Sequence, residues 1–282
     1  MITIVNVHVG AHCSAGRRLL APTGLPTPQQ SPLAFGVAGA GFTLTGETRT
    51  GQMAALISPE PGVEVELNYQ FSGQGGDYPE AIFTPRNSRY TKAADDLATD
   101  ALRIVDTARD GHAAIEAIVN DVAEKFSYGH PEIRFNDGLE EIPFLSCCLT
   151  EGSCVDINTY LIACLRAAGF EAGYVTGYFF PEEKNGCCDD MHCWVVTRYN
   201  GVVLEWDIAH HLKLGRPRIC CGLNPKPGDR AAVAHSMGLD FPEIGVSGAK
   251  LIGEPVWVGA DGTFEPAELE ISRIFHDTDP VS

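Results

Sequence analysis

The chain has 282 residues, of which 44% are hydrophobic, and a formal net charge of −17. This length allows about two domains with a packed core, and the lack of a lysine- or arginine-rich cluster argues against nucleic acid or anionic membranes as partners. No run approaches the roughly 18–20 apolar residues of a membrane span, and the N-terminus lacks the basic flank and long apolar core of a signal peptide, so we expect a cytoplasmic protein.

The first part of the chain is rich in glycine, proline, threonine and serine and contains runs typical of strands. Residues 63–69 alternate between apolar and polar side chains, as a half-buried strand does. We therefore predict an N-terminal β-rich domain over residues 1–88 and a second domain over 89–282. The second domain opens with two predicted helices, 93–108 and 112–126, separated by a break at Asp110-Gly111.

A third predicted helix begins at Cys154. Ser153 is a good N-cap, Asp156 resembles the acidic member of a capping box, and Gly169 is the expected terminator. The helix is apolar on almost every face, so we expect it to be buried with only its N-terminal end open to a cleft. A cysteine there is favoured as a thiolate, the form that acts as a nucleophile. The alternative, a small buried hydrophobe, is our interpretation of Cys164 in the same helix.

Two short β-type runs, 193–199 and 202–206, are separated by Asn200-Gly201, the strongest local signal for a type I′ hairpin. This turn places Tyr199 opposite Val202. His192 and Asp207 then become diagonal neighbours on one face of the sheet, with Cβ atoms roughly 7–8 Å apart or less. An imidazole and a carboxylate can meet across that distance.

Cys154, His192 and Asp207 therefore suit the nucleophile, the base and the orienting carboxylate of a cysteine triad. Taken singly, His192 could be a buried histidine satisfied by a backbone carbonyl, and Asp207 a turn residue. His210 and His211 follow closely but have no evident carboxylate partner, so we predict supporting, structural roles for them.

The ten cysteines suggest a second hypothesis, a metal site. Cys187, Cys188 and Cys193 surround His192 with soft ligands, and zinc or copper could bind such a set. However, no C-x-x-C spacing occurs, and a metal on His192 would disable the triad. We therefore expect no metal and no cofactor, and keep the metal site as an alternative.

Six short motifs between about residues 90 and 215 stand in a specific order and spacing. They are FSY at 126–128, GSCVD at 152–156, LRAAGF at 165–170, GYVTGY at 173–178, HCW at 192–194 and WD at 206–207. In these motifs the chain resembles the transglutaminase-like superfamily. The resemblance implies a papain-like α+β fold, with the cysteine helix packed on an antiparallel sheet and with Cys154, His192 and Asp207 as the triad. Cys193 and Ile208 stand where members often have alanine and proline, and neither change removes a triad member.

The predicted reaction is attack of the Cys154 thiolate on an amide or peptide carbonyl to give a thioester. The backbone N–H of Cys154 is one expected oxyanion donor, and Tyr128 or a residue between 147 and 150 is the second. Water as acceptor makes the protein a cysteine peptidase or amidase, which we favour, acting on a peptide, a protein or a small amide. The alternatives are a protein-glutamine transglutaminase, acyl transfer from a coenzyme-bound thioester, and a non-catalytic binding module.

Overall fold

The structure is a computed structural model that describes residues 1–12, 16–86, 88–146, 148–216, 218–222 and 225–276. Within these residues the helices are α1 (Asp95–Thr107), α2 (Gly111–Lys125), α3 (Cys154–Ala167) and α4 (Ile208–Lys213), and short 3₁₀ turns cover Glu80–Ile82, Glu182–Lys184 and Pro242–Ile244. The strands are β1 (Ile2–Val9), β2 (Arg18–Pro22), β3 (Ser31–Ala38), β4 (Gly41–Gly46), β5 (Met53–Ser58), β6 (Val65–Ser72), β7 (Phe126–Tyr128), β8 (Thr150–Gly152), β9 (Glu171–Pro181), β10 (Cys187–Cys188), β11 (Met191–Tyr199), β12 (Val202–Trp206), β13 (Gly228–His235), β14 (Leu239–Phe241), β15 (Val246–Ala249), β16 (Val256–Val258), β17 (Phe264–Pro266) and β18 (Leu269–His276). Mostly antiparallel sheets combined with these helices give the α+β class that the sequence predicts. None of the described helices combines the length and the apolar character needed to cross a lipid bilayer.

The helix that begins at Cys154 is the centre of the fold. It packs against strands β9 and β11 of an antiparallel sheet with the order β12-β11-β9-β13, and helices α1 and α2 also pack against it. The Asp156 carboxylate accepts hydrogen bonds from the N–H (2.9 Å) and the hydroxyl (2.7 Å) of Ser153, so the predicted capping box is present. At the other end, Gly169 adopts a φ of 82°, which stops the helix. The buried, capped helix agrees with the sequence prediction.

The two preceding helices lie within two residues of their predicted bounds. The Asp110 carboxylate caps α2 by accepting a hydrogen bond from the N–H of Ala113 at 2.8 Å. The chain break predicted at Asp110-Gly111 is therefore the start of a capped helix.

The hairpin of β11 and β12 has the register that its turn predicts. Tyr199 lies opposite Val202, and both central turn residues have positive φ, 49° at Asn200 and 77° at Gly201. The ladder ends at Trp206, however. Asp207 leaves the strand and becomes the N-cap of α4, a change that the hairpin pattern does not predict.

Two further sheets, with the orders β10-β18-β1-β6-β3 and β17-β16-β2-β5-β4, form the β-rich part of the molecule. Both include strands from the two ends of the chain, since β18 pairs with β1 and β16 pairs with β2. Tyr178 and Phe180 of β9 and Trp257 of β16 belong to one apolar cluster with the N-terminal strands. The division at residue 88 stays a prediction, and strands β16 and β18, which follow it in the chain, pair with strands that precede it.

Candidate active site

The Cys154 side chain lies at the first residue of α3 and is 6% exposed. Its sulfur is hydrogen-bonded by the Cys193 thiol and by the His192 imidazole. The bond from Cys193, with the bond and charge of His192 and the charge of Lys213, outweighs burial and holds the pKa of Cys154 well below its ordinary value. The free N–H groups at the start of α3 favour the same charge. These contacts therefore favour the thiolate form of Cys154.

His192, on β11, connects this thiolate to a carboxylate. Its Nε2 lies 2.9 Å from Oδ2 of Asp207, which leaves Nδ1 for the sulfur of Cys154. Burial acts against a charge on the ring, but the charge of Asp207 and the hydrogen bond to it raise the pKa of His192 above its ordinary value. A lowered cysteine pKa beside a raised histidine pKa describes a thiolate–imidazolium ion pair.

Asp207 is completely buried and has several partners. Oδ2 lies 2.9 Å from Nδ1 of His210 as well as from His192, and it forms a close ion pair with Nη2 of Arg230. Oδ1 accepts a hydrogen bond from the N–H of His210 at 3.0 Å. Burial alone would raise the pKa of Asp207, but the charges of His192 and Arg230 hold it well below its usual value. The carboxylate therefore stays ionised.

The structure corrects the prediction for His210, which does have a carboxylate partner. Its ring also stacks on that of His192, with centroids 4.1 Å apart and an angle of 9° between the planes. Burial lowers the pKa of His210 to about 4, so the ring is neutral when His192 is charged. His211 instead directs Nδ1 to the backbone oxygen of Asp207 at 2.7 Å. Because Asp207 is the N-cap of α4, His210 in the first turn of that helix lies against His192. The stacked ring of His210 limits the rotation of the His192 ring.

Arg230 is the member of the site that sequence reasoning missed. It lies on β13, opposite Phe179 of β9, and its guanidinium carbon is 4.8 Å from the ring centre of Trp194 and 5.6 Å from that of Phe179. This aromatic packing orients the cation toward Asp207. No local motif marks Arg230, and only the pairing of β13 with β9 brings it to the site.

Cys193 does not join a metal centre with its neighbours. It is buried, and Nδ2 of Asn158 lies 3.3 Å from its sulfur and 3.0 Å from its backbone oxygen. Cys187 is exposed, and the thiol of Cys188 donates to the backbone oxygen of Asp190 at 2.9 Å. Burial raises the pKa of Cys193, so it remains a thiol that donates to Cys154. Among the described residues, the three cysteines and His192 do not form a group of metal-ligand atoms that lie close together, so the alternative of a soft-ligand site has no support here.

A different group of potential metal ligands is the triad region itself. Among the described residues, ligand atoms of His192, Asp207 and His210 lie within 4.8 Å of one another. The guanidinium of Arg230 already lies against the shared carboxylate oxygen, so a divalent cation there would meet a buried positive charge. This electrostatic arrangement fits a triad better than a metal centre.

Tyr128, one of the two candidates for the second oxyanion donor, lies beside the thiolate. Burial and the charge of Cys154 raise its pKa, so the phenol keeps its proton. Its hydroxyl is 3.1 Å from Nε2 of His130, and Nζ of Lys213 is 4.3 Å from its ring centre. In the other candidate segment, residue 147 lies outside the described residues and Leu149 is exposed.

Two cavities lie near the Cys154–His192 pair. The larger has a volume of about 480 Å³ and is lined by Val155 and Met191, the chain neighbours of the pair, and by charged side chains. The smaller, of about 130 Å³, borders His192 and His210 directly. One cavity therefore borders the imidazole itself, and the other borders the residues next to Cys154 and His192 in the chain.

Comparison with known proteins supports this description. Residues 99–203 match the model of the Transglutaminase-like superfamily. A solved structure of a candidate cysteine protease from Cytophaga hutchinsonii shares 13% sequence identity over 99% of this chain and 93% of its own, with a TM-score of 0.60. The periplasmic domain of TgpA from Pseudomonas aeruginosa shares 16% identity over 74% of this chain and 78% of its own, with a TM-score of 0.40. No curated protein matches the chain.

Residues 99–203, which include Cys154 and His192, match the transglutaminase-like superfamily. At the level of the family, this match supports a cysteine-based enzyme. The Cytophaga hutchinsonii structure shows that the fold is shared across nearly the whole chain, β-rich part included. The superfamily resemblance predicted from the sequence is confirmed.

Proposed function

We propose that this protein is a cysteine peptidase or amidase that cleaves an amide or peptide bond through a thioester on Cys154. One observation carries the proposal: His192 Nε2 lies 2.9 Å from Oδ2 of Asp207, and the same imidazole is hydrogen-bonded to Cys154 at the first residue of α3. The lowered pKa of Cys154 and the raised pKa of His192 have the directions that a nucleophile and its base require.

In the first half of the reaction, the Cys154 sulfur attacks the carbonyl carbon and His192 gives its proton to the leaving amine. Water then attacks the thioester carbonyl, and the now neutral imidazole takes a proton from it; the C–S bond breaks, which releases the carboxylic acid and restores the Cys154 thiolate. Asp207 keeps the ring oriented in both steps, and Arg230 keeps Asp207 ionised. The backbone N–H of Cys154 and the phenol of Tyr128 are the proposed donors to the oxyanion.

The character of the larger cavity supports hydrolysis over amine transfer. Transfer to an amine requires that water, present at about 55 M, be excluded from the thioester by a dry acceptor channel. The cavity is instead lined by Arg89, Arg134, Asp137 and Lys250, whose charges retain water. A protein-glutamine transglutaminase is therefore the second candidate.

The remaining alternatives have less support. A binding module would be expected to have lost a triad member or to cover the thiol, but all three residues are in contact and Cys154 retains some exposure. A coenzyme-dependent acyl transferase has no specific observation in its favour. Substrates are proposed to be peptides, proteins or small amides, with no role for nucleic acid or membranes, and the cytoplasmic location stays a proposal.

The experiment uses the full chain with a peptide library in ¹⁸O-enriched water containing a biotinylated alkylamine. We expect new carboxyl groups that carry ¹⁸O with the wild type and with Cys164→Ala, a cysteine in the same helix but away from the site. Cys154→Ala should give none. Incorporation of the amine without ¹⁸O would favour the transglutaminase instead.

A further inference from the structure

The larger cavity beside Cys154 concentrates positive charge in a strongly acidic protein. Three cationic side chains line it, from Arg89, Arg134 and Lys250, whereas the whole chain has a net charge of −17. The cations of Arg89 and Lys250 lie 5.6 Å and 5.7 Å from the ring centre of Tyr90, which also lines the cavity. The ring of Tyr90 thus lies near two of the three cations, on one side of the cavity.

The three cations differ in how far their charges are already neutralised. Nη1 of Arg134 lies 3.2 Å from Asp156, the capping residue of α3, and Arg89 is 3.6 Å from the exposed Glu140. Lys250 is half-buried, and no carboxylate among the described residues lies within 4 Å of its Nζ. A half-buried ammonium that has no carboxylate partner carries a desolvation cost, and a bound anion would offset that cost.

The acidic groups near the reaction centre do not fill that position. Asp137 lines the cavity and accepts a hydrogen bond from the backbone N–H of Arg134 at 2.9 Å; its charge and that of Asp156 act on Lys250 from a distance, and neither forms an ion pair with it. Glu254 accepts a hydrogen bond from the N–H of Met191 at 2.8 Å and does not line the cavity. Asp190 lies in the smaller cavity, beside Lys213. The place beside Lys250 is therefore open to a ligand.

We propose that this cavity is a substrate subsite for a carboxylate, and that the enzyme prefers peptides or amides with an acidic group next to the scissile bond. The inference rests on the proposed function. Val155 and Met191 line the cavity and directly follow and precede the two reacting residues in the chain. In the proposed complex, the acidic group of the substrate enters this cavity while its carbonyl lies at Cys154. Lys250 would bind the carboxylate, and Arg89 and Arg134 would add to the positive electrostatic potential in the cavity.

Two alkylating reagents of similar size test the subsite without a known substrate. Iodoacetate carries the carboxylate and iodoacetamide does not. We expect the alkylation rate with iodoacetate, divided by the rate with iodoacetamide, to be at least about fivefold larger at Cys154 than for glutathione. This rate ratio should fall as ionic strength rises. Lys250→Met and Arg89→Gln should each lower the ratio toward the glutathione value.

The matched control is Arg109→Gln, which removes one positive charge at a side chain that is 88% exposed and outside the cavity. It should leave the ratio unchanged. Fast iodoacetamide labelling with a ratio equal to that of glutathione, or a ratio that Lys250→Met does not change, would overturn the subsite and leave the proposed function standing. Slow labelling of Cys154 by both reagents would instead contradict the proposed function, and the subsite with it.

The carboxylate can come from an Asp or Glu side chain or from a free peptide C-terminus, and the rates at which peptides are cleaved distinguish the two. Asp or Glu next to the cleaved bond is compared with Asn or Gln, and a free peptide C-terminus with its amide. We expect one of the acidic forms to be preferred by about tenfold in kcat/KM, a preference that Lys250→Met removes. Equal rates for all pairs would contradict the assignment.

Discussion

The thiolate of Cys154 has two hydrogen-bond donors of different character. His192 supplies a positive charge, whereas the Cys193 thiol is neutral and buried beneath the helix beside Asn158. A neutral donor stabilises the thiolate without competing for the carboxylate of Asp207. We therefore predict that Cys193, at a position where members of the superfamily often have alanine, supports the thiolate form of Cys154.

Replacing Cys193 by alanine should raise the pKa of Cys154, because it removes the first of the contacts that lower it. The pH at which alkylation of Cys154 by iodoacetamide reaches half of its maximal rate should therefore move to higher pH. Rates over pH 5–9, read by mass spectrometry, give the pKa directly. Cys164→Ala is the control, and an unchanged pKa in Cys193→Ala would refute the role of this donor.

How much of the site the sequence predicts depends on how local each contact is. The capping pattern locates Cys154 at a helix start, and the Asn200-Gly201 turn sets the register that brings His192 near Asp207. Arg230 and the donor role of Cys193 depend on the packing of elements that are distant in sequence. No periodicity or spacing encodes such contacts.

At the scale of elements, the approach of β13 to β9 determines where Arg230 lies. Gly177 of β9 pairs with His192 on one side and with Ala232 on the other. A Cβ at this position would lie 2.0 Å from the backbone oxygen of Ala231. The glycine therefore allows the close approach, which continues into a β-bulge between Ala232 and Ala234.

Gly177→Ala should push β13 away from β9 and draw Arg230 from Asp207. We expect a loss of about 1–3 kcal/mol in the free energy of unfolding, measured with urea, and slower alkylation of Cys154. Gly36→Ala is the matched control in β3, since the nearest atom to its new Cβ is 4.0 Å away. An equal free energy of unfolding in Gly177→Ala and Gly36→Ala would show that the close approach of β13 to β9 does not depend on a glycine at position 177.

At the scale of the whole molecule, a buried ion pair links the N-terminal sheets to the rest of the chain. Glu47 lies 2.8 Å from Nη2 of Arg86 and accepts hydrogen bonds from Thr50 and from the N–H of Asp240. Burial alone would raise the pKa of Glu47, but these bonds lower it from 4.5 to about 2. A lowered pKa means that the folded state favours the ionised carboxylate, so its contribution is complete above about pH 4.5 and is lost as pH falls toward 2.

Glu47→Gln should therefore lower the free energy of unfolding by about 3 kcal/mol at pH 7, and the difference from wild type should shrink as pH falls toward 2. Thermal or urea unfolding across this range measures it. Glu60→Gln, at an exposed position, is the control and should change stability by less than about 0.5 kcal/mol. A difference that stays constant with pH would contradict the assigned linkage.

The central claim is that Cys154 and His192 form an ion pair, and labelling of the full chain with iodoacetamide at about pH 6 tests it most directly. An ordinary thiol with a pKa of about 8.5 is only about 0.3% ionised at that pH. We predict fast labelling confined to Cys154 in the wild type and its loss in His192→Ala, with every cysteine resolved by mass spectrometry. Uniformly slow labelling of all ten cysteines, or fast labelling of Cys154 that persists in His192→Ala, would contradict the account.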